Sequence, residues 1–308
     1  MKRRDFFKKS VGAGIAAGVV FKLGNYNKLW AKTPGIIPDQ YDLVAIKGGD
    51  PGAMFDRGIV EFGGMKTFVK PNQTVVVKPN IGWDTTPERA ADTNPGLIKR
   101  IIEHCFKAGA KEVYVFDNTI NNWSRSYKNS GIEKAVKDAR GKLVPANSEN
   151  YYQEVTIPKG KKLTTTKVHE LILEADVFIN VPVLKSHNST RVSIALKNLM
   201  GTVWDRRYWH RNDLNQCIAD FSTFHRKPDL NVVDAFNVLM RNGPRGVSKS
   251  DVTNMKAQIL STNMVIADAA ATKMFGKDPD TITYLRIADE MGVGTRNLEG
   301  LSIKRIKI

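Results

Sequence analysis

The sequence predicts an α/β fold with a mostly parallel sheet and helices on both faces. Residues 74–116 read as a strand, a helix and a strand, and residues 177–184 form another apolar, β-branched run of strand length. A strand–helix–strand unit pairs its two strands in parallel, through a right-handed crossover. With 308 residues, the chain can form one domain or two α/β lobes, about 42–150 and 151–308, around a crevice.

The first half of the chain contains the strand–helix–strand unit. Residues 74–80 form its first strand, and Asn94-Pro95 opens its helix, because proline is favoured at the first helical position. Gly109 ends this helix, and residues 113–116 form the second strand. The other elements predicted here are strands at 42–47 and 142–145 and helices at 53–62 and 130–139.

Residues 174–201 lie at the centre of the second half. A buried strand, 177–184, runs directly into Lys185 and His187, and the apolar run that follows a polar turn is interrupted by Lys197. Charged side chains at the end of a buried strand are costly to place, so we interpret this stretch as the functional centre. The other predicted elements are edge strands at 151–157 and 162–168, helices at 169–173, 213–225, 265–274 and from Pro279, strands at 230–235, 259–262 and 301–308, and an aromatic, basic rim at 204–212.

The N-terminus resembles an export signal. Residues 2–8 place two arginines ahead of two phenylalanines and a lysine, and an apolar run follows at 11–21. That run is shorter than the ~20 apolar residues of a spanning helix, so we expect no transmembrane span in the mature protein. The pattern is typical of a twin-arginine translocation signal, here assigned to residues 1–31. It predicts the twin-arginine export machinery as a partner and a periplasmic or other extracytoplasmic location.

The chain is basic, with a formal net charge of +16. Residues 1–31 hold seven of the 47 Lys and Arg residues and one of the 31 Asp and Glu residues, so the remainder carries +10. A basic domain raises the question of nucleic acid, but an exported protein meets little of it. We therefore expect a small anionic ligand or an anionic envelope surface, and no nucleic-acid partner.

The sequence also excludes several kinds of site. Cys105 and Cys217 are the only cysteines, which excludes a four-cysteine iron–sulfur cluster and a cysteine-rich zinc site. We expect two separately buried thiols rather than a disulfide. The glycine-rich nucleotide loops, the nucleophile elbow of hydrolases and the zinc-protease helix motif are all absent from the sequence.

Several polar side chains come directly after the predicted strands. Ligands of open parallel sheets bind beyond the carboxyl ends of the strands, and the long polar loop 81–93 begins at one of these ends. We therefore expect these side chains to share one crevice. They are Lys78, Asn80, Asp117, Lys185 and His187.

Two interpretations fit the lysines of the central stretch. Burial lowers the pKa of an ammonium group and produces a nucleophilic or Schiff-base lysine, whereas a charged lysine would clamp a carboxylate or a phosphate. A helical lysine that reaches solvent is the structural alternative for Lys197. We take Lys197 as the candidate nucleophile and His187 as its acid–base partner. The candidate substrate-binding residues are Lys185, Lys78, Asn80, Asp117 and Arg245.

The histidines leave the question of a metal open. His187 and His210 are two of five histidines, and either could ligate a metal, act as a general base or serve as a hydrogen-bonded structural residue. The identity of any cofactor or metal stays open at this point.

The combination of motifs resembles the domain-of-unknown-function family 362 over residues 42–308. That resemblance implies an α/β fold and no settled activity. A second resemblance is to the nickel-pincer lactate racemase family, in which a lysine ten residues after a histidine holds the cofactor, as Lys197 follows His187. It implies a cofactor with nickel or another metal, and a histidine farther along that family's chain ligates the nickel. His210 lies close to that place, though not in register, so we take it as the candidate metal ligand. The glycine-rich run of that family is absent here. The motifs that carry the first resemblance are Val77–Asn80, Asn94-Pro95, Ala108–Lys111, Asn180–His187, Ala195–Gly201, Val233–Ala235, Asn242–Pro244 and Ala267–Ala269.

The leading hypothesis from the sequence is an exported enzyme that acts on a small anionic organic substrate through Lys197 and His187. Isomerisation and redox chemistry both fit this hypothesis. The alternative is a non-catalytic binding or maturation protein of the envelope, which would hold an anionic ligand or serve a redox partner with the same lysines.

Overall fold

The computed structural model describes residues 41–308 and confirms the predicted α/β class. A mixed, mostly parallel sheet of ten strands forms its centre, in the order β12-β1-β11-β10-β7-β2-β3-β4, with β8 and β9 attached through β10, and β5 and β6 form a separate hairpin. The strands are β1 Leu43–Lys47, β2 Thr74–Pro79, β3 Glu112–Val115, β4 Lys142–Leu143, β5 Tyr152–Thr156, β6 Thr165–His169, β7 Val177–Val181, β8 Val183–His187, β9 Arg191–Ser193, β10 Leu230–Leu239, β11 Val252–Ser261 and β12 Ile303–Lys307.

Ten α-helices in the described range cover the sheet. They are α1 Pro51–Val60, α2 Pro95–Ala108, α3 Trp123–Asn129, α4 Ile132–Asp138, α5 Glu170–Glu174, α6 Ala195–Asn198, α7 Arg206–Arg211, α8 Leu214–Ser222, α9 Met264–Met274 and α10 Thr283–Glu290. Helices α1, α2 and α4 pack on one face of the sheet, and α6 and α9, with α8 and α10 behind them, pack on the other. Both faces are buried, which explains why the central strands are continuously apolar.

The predicted strand–helix–strand unit forms β2, α2 and β3. Strand β2 pairs in parallel with β3 on one side and with β7 on the other, in a register that places Lys78 beside Asn180. Asn94 caps α2 by accepting a hydrogen bond from the Gly96 amide, and Gly109 ends the helix with a φ of 104°. The carboxyl ends of β2, β3 and β7 therefore meet at one edge of the sheet.

The predicted strand at 177–184 divides into two at Pro182. Proline has no N–H group to donate to a neighbouring strand, and its carbonyl accepts a hydrogen bond from the Asp234 amide instead. Strand β7 stays beside β2, whereas β8 pairs with β10 and β9. The division places Lys185 and His187 on β8, near the carboxyl edge of the sheet.

The strands predicted at 230–235 and 259–262 are longer in the structure. Strands β10 and β11 each span ten residues and pair antiparallel over most of their length. The outer part of β11 is mostly exposed and polar, so it lacks the apolar run on which the prediction depended. This ribbon extends past the sheet and supports β8.

The described residues fall within one compact unit. The two lobes considered from the sequence share the central sheet, since β2 and β3 come from one and β7 and β10 from the other. The predicted signal segment, 1–31, lies outside the described residues. Within 41–308, no helix is both long and apolar enough to cross a membrane. Cys105 and Cys217 are both buried and free, as expected.

Candidate functional site

A cavity of about 280 Å³ opens at the carboxyl edge of the sheet. It is bounded by the loops after β2 and β3, by β8, by α6 and by α7. Most of the residues predicted for the site line this cavity, although they come from separate parts of the chain. The predicted residues that line it are Asn80, Asp117, Lys185, His187, Lys197 and His210.

Lys78 lies beneath the cavity and does not line it. Its side chain is fully buried, and its Nζ is 2.8 Å from Asp117 Oδ1, 2.6 Å from the Pro79 carbonyl and 3.1 Å from Asn198 Oδ1. An ammonium group has three donors, so these three contacts satisfy it. Lys78 holds Asp117 and Asn198 in place and has no donor left for a ligand.

Asn198 belongs to a line of buried asparagines that joins three strands and α6. Its Nδ2 donates to Asn180 Oδ1 at 2.8 Å, and Asn180 Nδ2 donates to Asn231 Oδ1 at 2.9 Å. At the other end, Asn80 Nδ2 donates to Asn198 Oδ1 at 3.1 Å. A buried polar network in which the members satisfy one another fixes their orientation. It therefore holds Asn80 rigidly at the cavity.

Lys185 lies in the cavity wall and retains one donor. Its Nζ donates to Asn80 Oδ1 at 3.0 Å and also to the Ala91 carbonyl. Burial lowers the pKa of Lys185, and the nearby carboxylates of Asp92 and Asp117 offset part of this effect. The third N–H of a charged Lys185 can donate a hydrogen bond to a bound anion.

Lys197 is carried by the four-residue helix α6 and lines the cavity with a side chain only 9% exposed. Within residues 41–308, its one hydrogen-bond partner is the Met200 sulfur, at 3.4 Å from Nζ. A thioether is a weak acceptor and stabilises an ammonium group poorly. Burial, followed by the positive charges of Lys185 and Arg206, lowers the pKa of Lys197 to about 7. A large fraction of Lys197 is therefore a neutral amine near pH 7.

The start of α6 is held by a residue from another helix. Asp268 of α9 is fully buried, and its carboxylate accepts hydrogen bonds from the Ala195 amide at 2.7 Å and the Leu196 amide at 3.3 Å. Ile194, which precedes the helix, offers no side-chain cap. The carboxyl group of Asp268 thus satisfies two backbone amides at the start of α6, and this fixes the turn that carries Lys197.

His187 is held in one tautomer. Its Nδ1 accepts a hydrogen bond from the Ser189 amide at 3.2 Å, so the proton of the neutral ring is on Nε2. Burial, followed by the charges of Lys197, Lys185 and His210, lowers the pKa of His187 to about 2. The unliganded ring is therefore neutral throughout the physiological range, and its Nε2–H is the group that can donate a hydrogen bond.

The rim predicted at 204–212 supplies further cations that the sequence interpretation did not name. Arg206 and Arg207 of α7 line the cavity together with His210. Arg206 donates from Nη1 to the Asn118 carbonyl at 2.5 Å and from Nη2 to the Thr119 carbonyl at 2.8 Å. These contacts hold α7 over the end of β3. The basic and aromatic composition of the segment indicated that it could line the site. It did not indicate which arginine points inward.

Arg245 is exposed and does not line the cavity, and its neighbour Pro244 does. The only carboxylate in the lining belongs to Asp117, which is paired with Lys78 beneath. The described part of the wall therefore has an excess of positive charge. This favours an organic anion with groups that can accept hydrogen bonds.

A metal ion held by protein side chains alone does not fit the described residues. Within 41–308, no group of three or more His, Cys, Asp and Glu side chains is arranged to hold one. His187 and His210 line the same cavity but lack a third such ligand. The metal role of His210 and the nickel cofactor stay predictions from the sequence.

The fold and the site thus define an α/β protein with a cationic cavity at the carboxyl edge of a mostly parallel sheet. The chain belongs to the family described as domain of unknown function DUF362, whose model matches residues 75–273. This confirms the family resemblance of the sequence.

Three similar proteins illustrate the relationships of the chain. The thylakoid-associated protein sll1697 of Synechocystis sp. is 24% identical over 247 residues, which cover 75% of this chain and 72% of that protein. The lactate racemase apoprotein of Thermoanaerobacterium thermosaccharolyticum has a TM-score of 0.49 at 12% identity, over 77% of this chain and 57% of that structure. A structural-genomics protein of Thermotoga maritima has a TM-score of 0.45 at 12% identity, over 79% of this chain and 60% of its own.

Proposed function

We propose that this protein is an enzyme that binds a small organic anion in the cavity and forms a Schiff base with it through Lys197. The observation that carries the proposal is the setting of Lys197, a nearly buried amine at a ligand-sized cavity whose only described hydrogen-bond partner is a thioether. A lysine retained for structure would have acceptors of the kind that surround Lys78. Lys197 lacks such acceptors, which favours a role as a reactive amine over a structural role.

The chemistry assigned to the residues is simple and balanced. The neutral amine of Lys197 attacks the carbonyl carbon of the substrate, and loss of the carbonyl oxygen as water leaves a C=N bond. Lys185 and Arg206 hold the anionic group of the substrate, and the Nε2–H of His187 donates to the carbonyl oxygen. The imine withdraws electrons from the substrate carbon on the side away from the carboxylate, so a proton can leave that carbon to give an enamine and return to it, which allows isomerisation.

Trapping of the imine tests this proposal. Purified protein is incubated with pyruvate and borohydride, and the modified peptide is identified by mass spectrometry. We expect reduction to fix the adduct on Lys197, and a K197R variant to form none. Lys134, whose side chain is 80% exposed, is the internal control for indiscriminate modification of surface lysines.

The same experiment separates the enzyme from the binding protein. The proposal fails if pyruvate and larger 2-oxo acids leave Lys197 unmodified or modify it no faster than Lys134. If these anions still bind in that case, with an affinity that K197R retains, the protein is a carrier of organic anions. Crystallographic or calorimetric titration of both proteins measures that affinity directly.

We also propose that the chain is exported by the twin-arginine route and acts outside the cytoplasm. Two observations support this location: the paired arginines at 3–4 ahead of the apolar run, and a relative that is described as thylakoid-associated. Fractionation of cells that express the full chain tests it. The proposal predicts that an R3K/R4K variant accumulates in the cytoplasm, and equal export of both proteins would refute it.

A further inference from the structure

The cationic cavity has one apolar side. Trp83, in the loop after β2, and Ile120, in the loop after β3, both line it, and we call this pair the apolar ledge. Ile120 is 56% exposed, which makes it one of the few large apolar side chains open to solvent in the described range. An isolated exposed isoleucine is ordinary on a protein surface, but this one lies at the rim of a ligand-sized cavity.

The apolar ledge is held in place by its backbone. The Ile120 amide donates to the Gly82 carbonyl at 2.9 Å, and the Asp84 amide donates to Asn121 Oδ1 at 3.0 Å. The Trp83 amide is bound by the buried carboxylate of Asp92, at 3.0 Å. Both loops are therefore tied to each other and to the site, so the apolar surface does not depend on a ligand to form.

The cavity is larger than the reacting groups need. Its volume of about 280 Å³ equals the liquid volume of roughly nine water molecules at about 30 Å³ each. A carboxylate and an adjacent carbonyl do not fill this volume. The apolar ledge forms part of the wall around it, and an apolar group is favoured over water against such a surface.

We propose that the substrates of this site are 2-oxo acids with an apolar body, aromatic or branched, that covers Trp83 and Ile120. This inference rests on the proposed Schiff-base function. The carboxylate lies on Lys185 and Arg206, the carbonyl faces Lys197, and the rest of the molecule extends over the apolar ledge. The ledge thus determines specificity, while the lysine determines reactivity.

A substrate series that varies only in the body tests the inference. Pyruvate, 4-methyl-2-oxopentanoate and phenylpyruvate share the carboxylate and the carbonyl, and half-saturation of borohydride trapping at Lys197 compares them. We expect both larger acids to saturate at concentrations at least tenfold below that for pyruvate. The I120S variant should lose roughly threefold to tenfold of this preference, because Ile120 is partly exposed and its loss removes about one or two buried methylene equivalents of contact.

V247S is the matched control, because Val247 is also apolar, is 73% exposed and does not line the cavity. Its preference should equal that of the unmodified protein. The inference is overturned if all three acids give equal half-saturation. It is also overturned if I120S raises the half-saturation concentration of all three acids by the same factor. Either result leaves the proposed Schiff base intact. Absence of any adduct on Lys197 instead refutes the proposed function, and the inference falls with it.

Discussion

At the scale of single residues, the difference between Lys78 and Lys197 comes from their acceptors. Lys78 has a carboxylate, a carbonyl and an amide oxygen within 3.1 Å of its Nζ. Lys197 has the Met200 sulfur at 3.4 Å. Both side chains are buried, so desolvation acts on both, but only Lys78 receives compensation from opposite charge. The same residue type therefore supports the site in one place, and in the other it has the setting on which the proposed Schiff-base function rests.

The role of Met200 leads to a prediction about Lys197. In an M200Q variant an amide oxygen replaces the sulfur and accepts a strong hydrogen bond from the ammonium, so the pKa of Lys197 should rise by about one unit. The rate of imine trapping near pH 7 should fall, and its midpoint should move to higher pH. The pH dependence of borohydride trapping measures both effects.

M200L is the control for this change, since leucine has a similar volume and no acceptor. Its midpoint should stay at or below that of the unmodified protein. If M200Q and M200L give the same midpoint, the sulfur does not set the protonation of Lys197, and burial with the neighbouring charges of Lys185 and Arg206 must account for it.

The sequence could predict that most of these side chains belong to the site. It could not predict which of them bind a ligand and which support the others. Asn80, Asp117 and Lys185 could be predicted, because each is a polar residue that closely follows an apolar run of strand length. The partners of Lys78 are Asp117 and Asn198, which join it only through the pairing of β2 with β3 and the return of α6. No local pattern distinguishes a satisfied lysine from a free one.

At the scale of elements, Gly201 allows the loop after α6 to lie directly on the buried ion pair. A Cβ atom at this position would be 1.8 Å from Asp117 Oδ1 and 2.6 Å from Lys78 Nζ. Both partners are buried, so neither can move into solvent. The glycine therefore permits close approach, and its backbone conformation is one that any residue could adopt.

Replacement of this glycine should be costly. In G201A the methyl group would push apart the Lys78–Asp117 pair, and we expect the free energy of unfolding to fall by about 2–4 kcal/mol. Urea denaturation measures the loss. G82A is the matched control in the same cavity wall, because its Cβ would meet Asn80 Oδ1 at an ordinary 3.6 Å, and equal stability of the two variants would contradict the prediction.

The elements show where sequence patterns stop being informative. The division of the 177–184 run was foreseeable from Pro182, which cannot continue the hydrogen bonding of a central strand. The orientation of α7 was not foreseeable, because Arg206 is held by the carbonyls of Asn118 and Thr119, in the loop after β3. The capping of α6 by Asp268 could not be predicted either, since Asp268 and Ala195 are 73 positions apart in the chain.

At the scale of the whole molecule, the class of fold follows from the sequence because parallel strands buried on both faces must be apolar throughout. The site follows from the fold, because adjacent parallel strands bring their carboxyl ends to one edge. Strand β2 carries Asn80 there, the loop after β3 carries Asp117, and β8 carries Lys185. The cationic cavity is thus a consequence of strand order, and the residues of α6 and α7 complete it.

Burial of Lys197 without an acidic partner should cost the whole molecule stability in a manner that depends on pH. The folded protein holds the pKa of Lys197 near 7, whereas an unfolded chain returns it to about 10.4. Below pH 7 the full cost of burying the charge is present. As pH rises from 7 toward 10.4 the unfolded state binds more protons than the folded state, so the stability of the unmodified protein should rise relative to a variant without the amine.

We therefore expect K197M to be more stable than the unmodified protein at pH 7, by on the order of 1–3 kcal/mol. This advantage should shrink as pH rises, with a slope of at most about 1.4 kcal/mol per pH unit, and urea denaturation at pH 7, 8, 9 and 10 measures it. K134M, at an exposed position, should show no such dependence. A constant difference across this range would mean that Lys197 stays charged in the folded state and acts as an anion clamp. A shrinking one would mean that Lys197 loses its proton in the folded state near pH 7, as the proposed Schiff-base function requires.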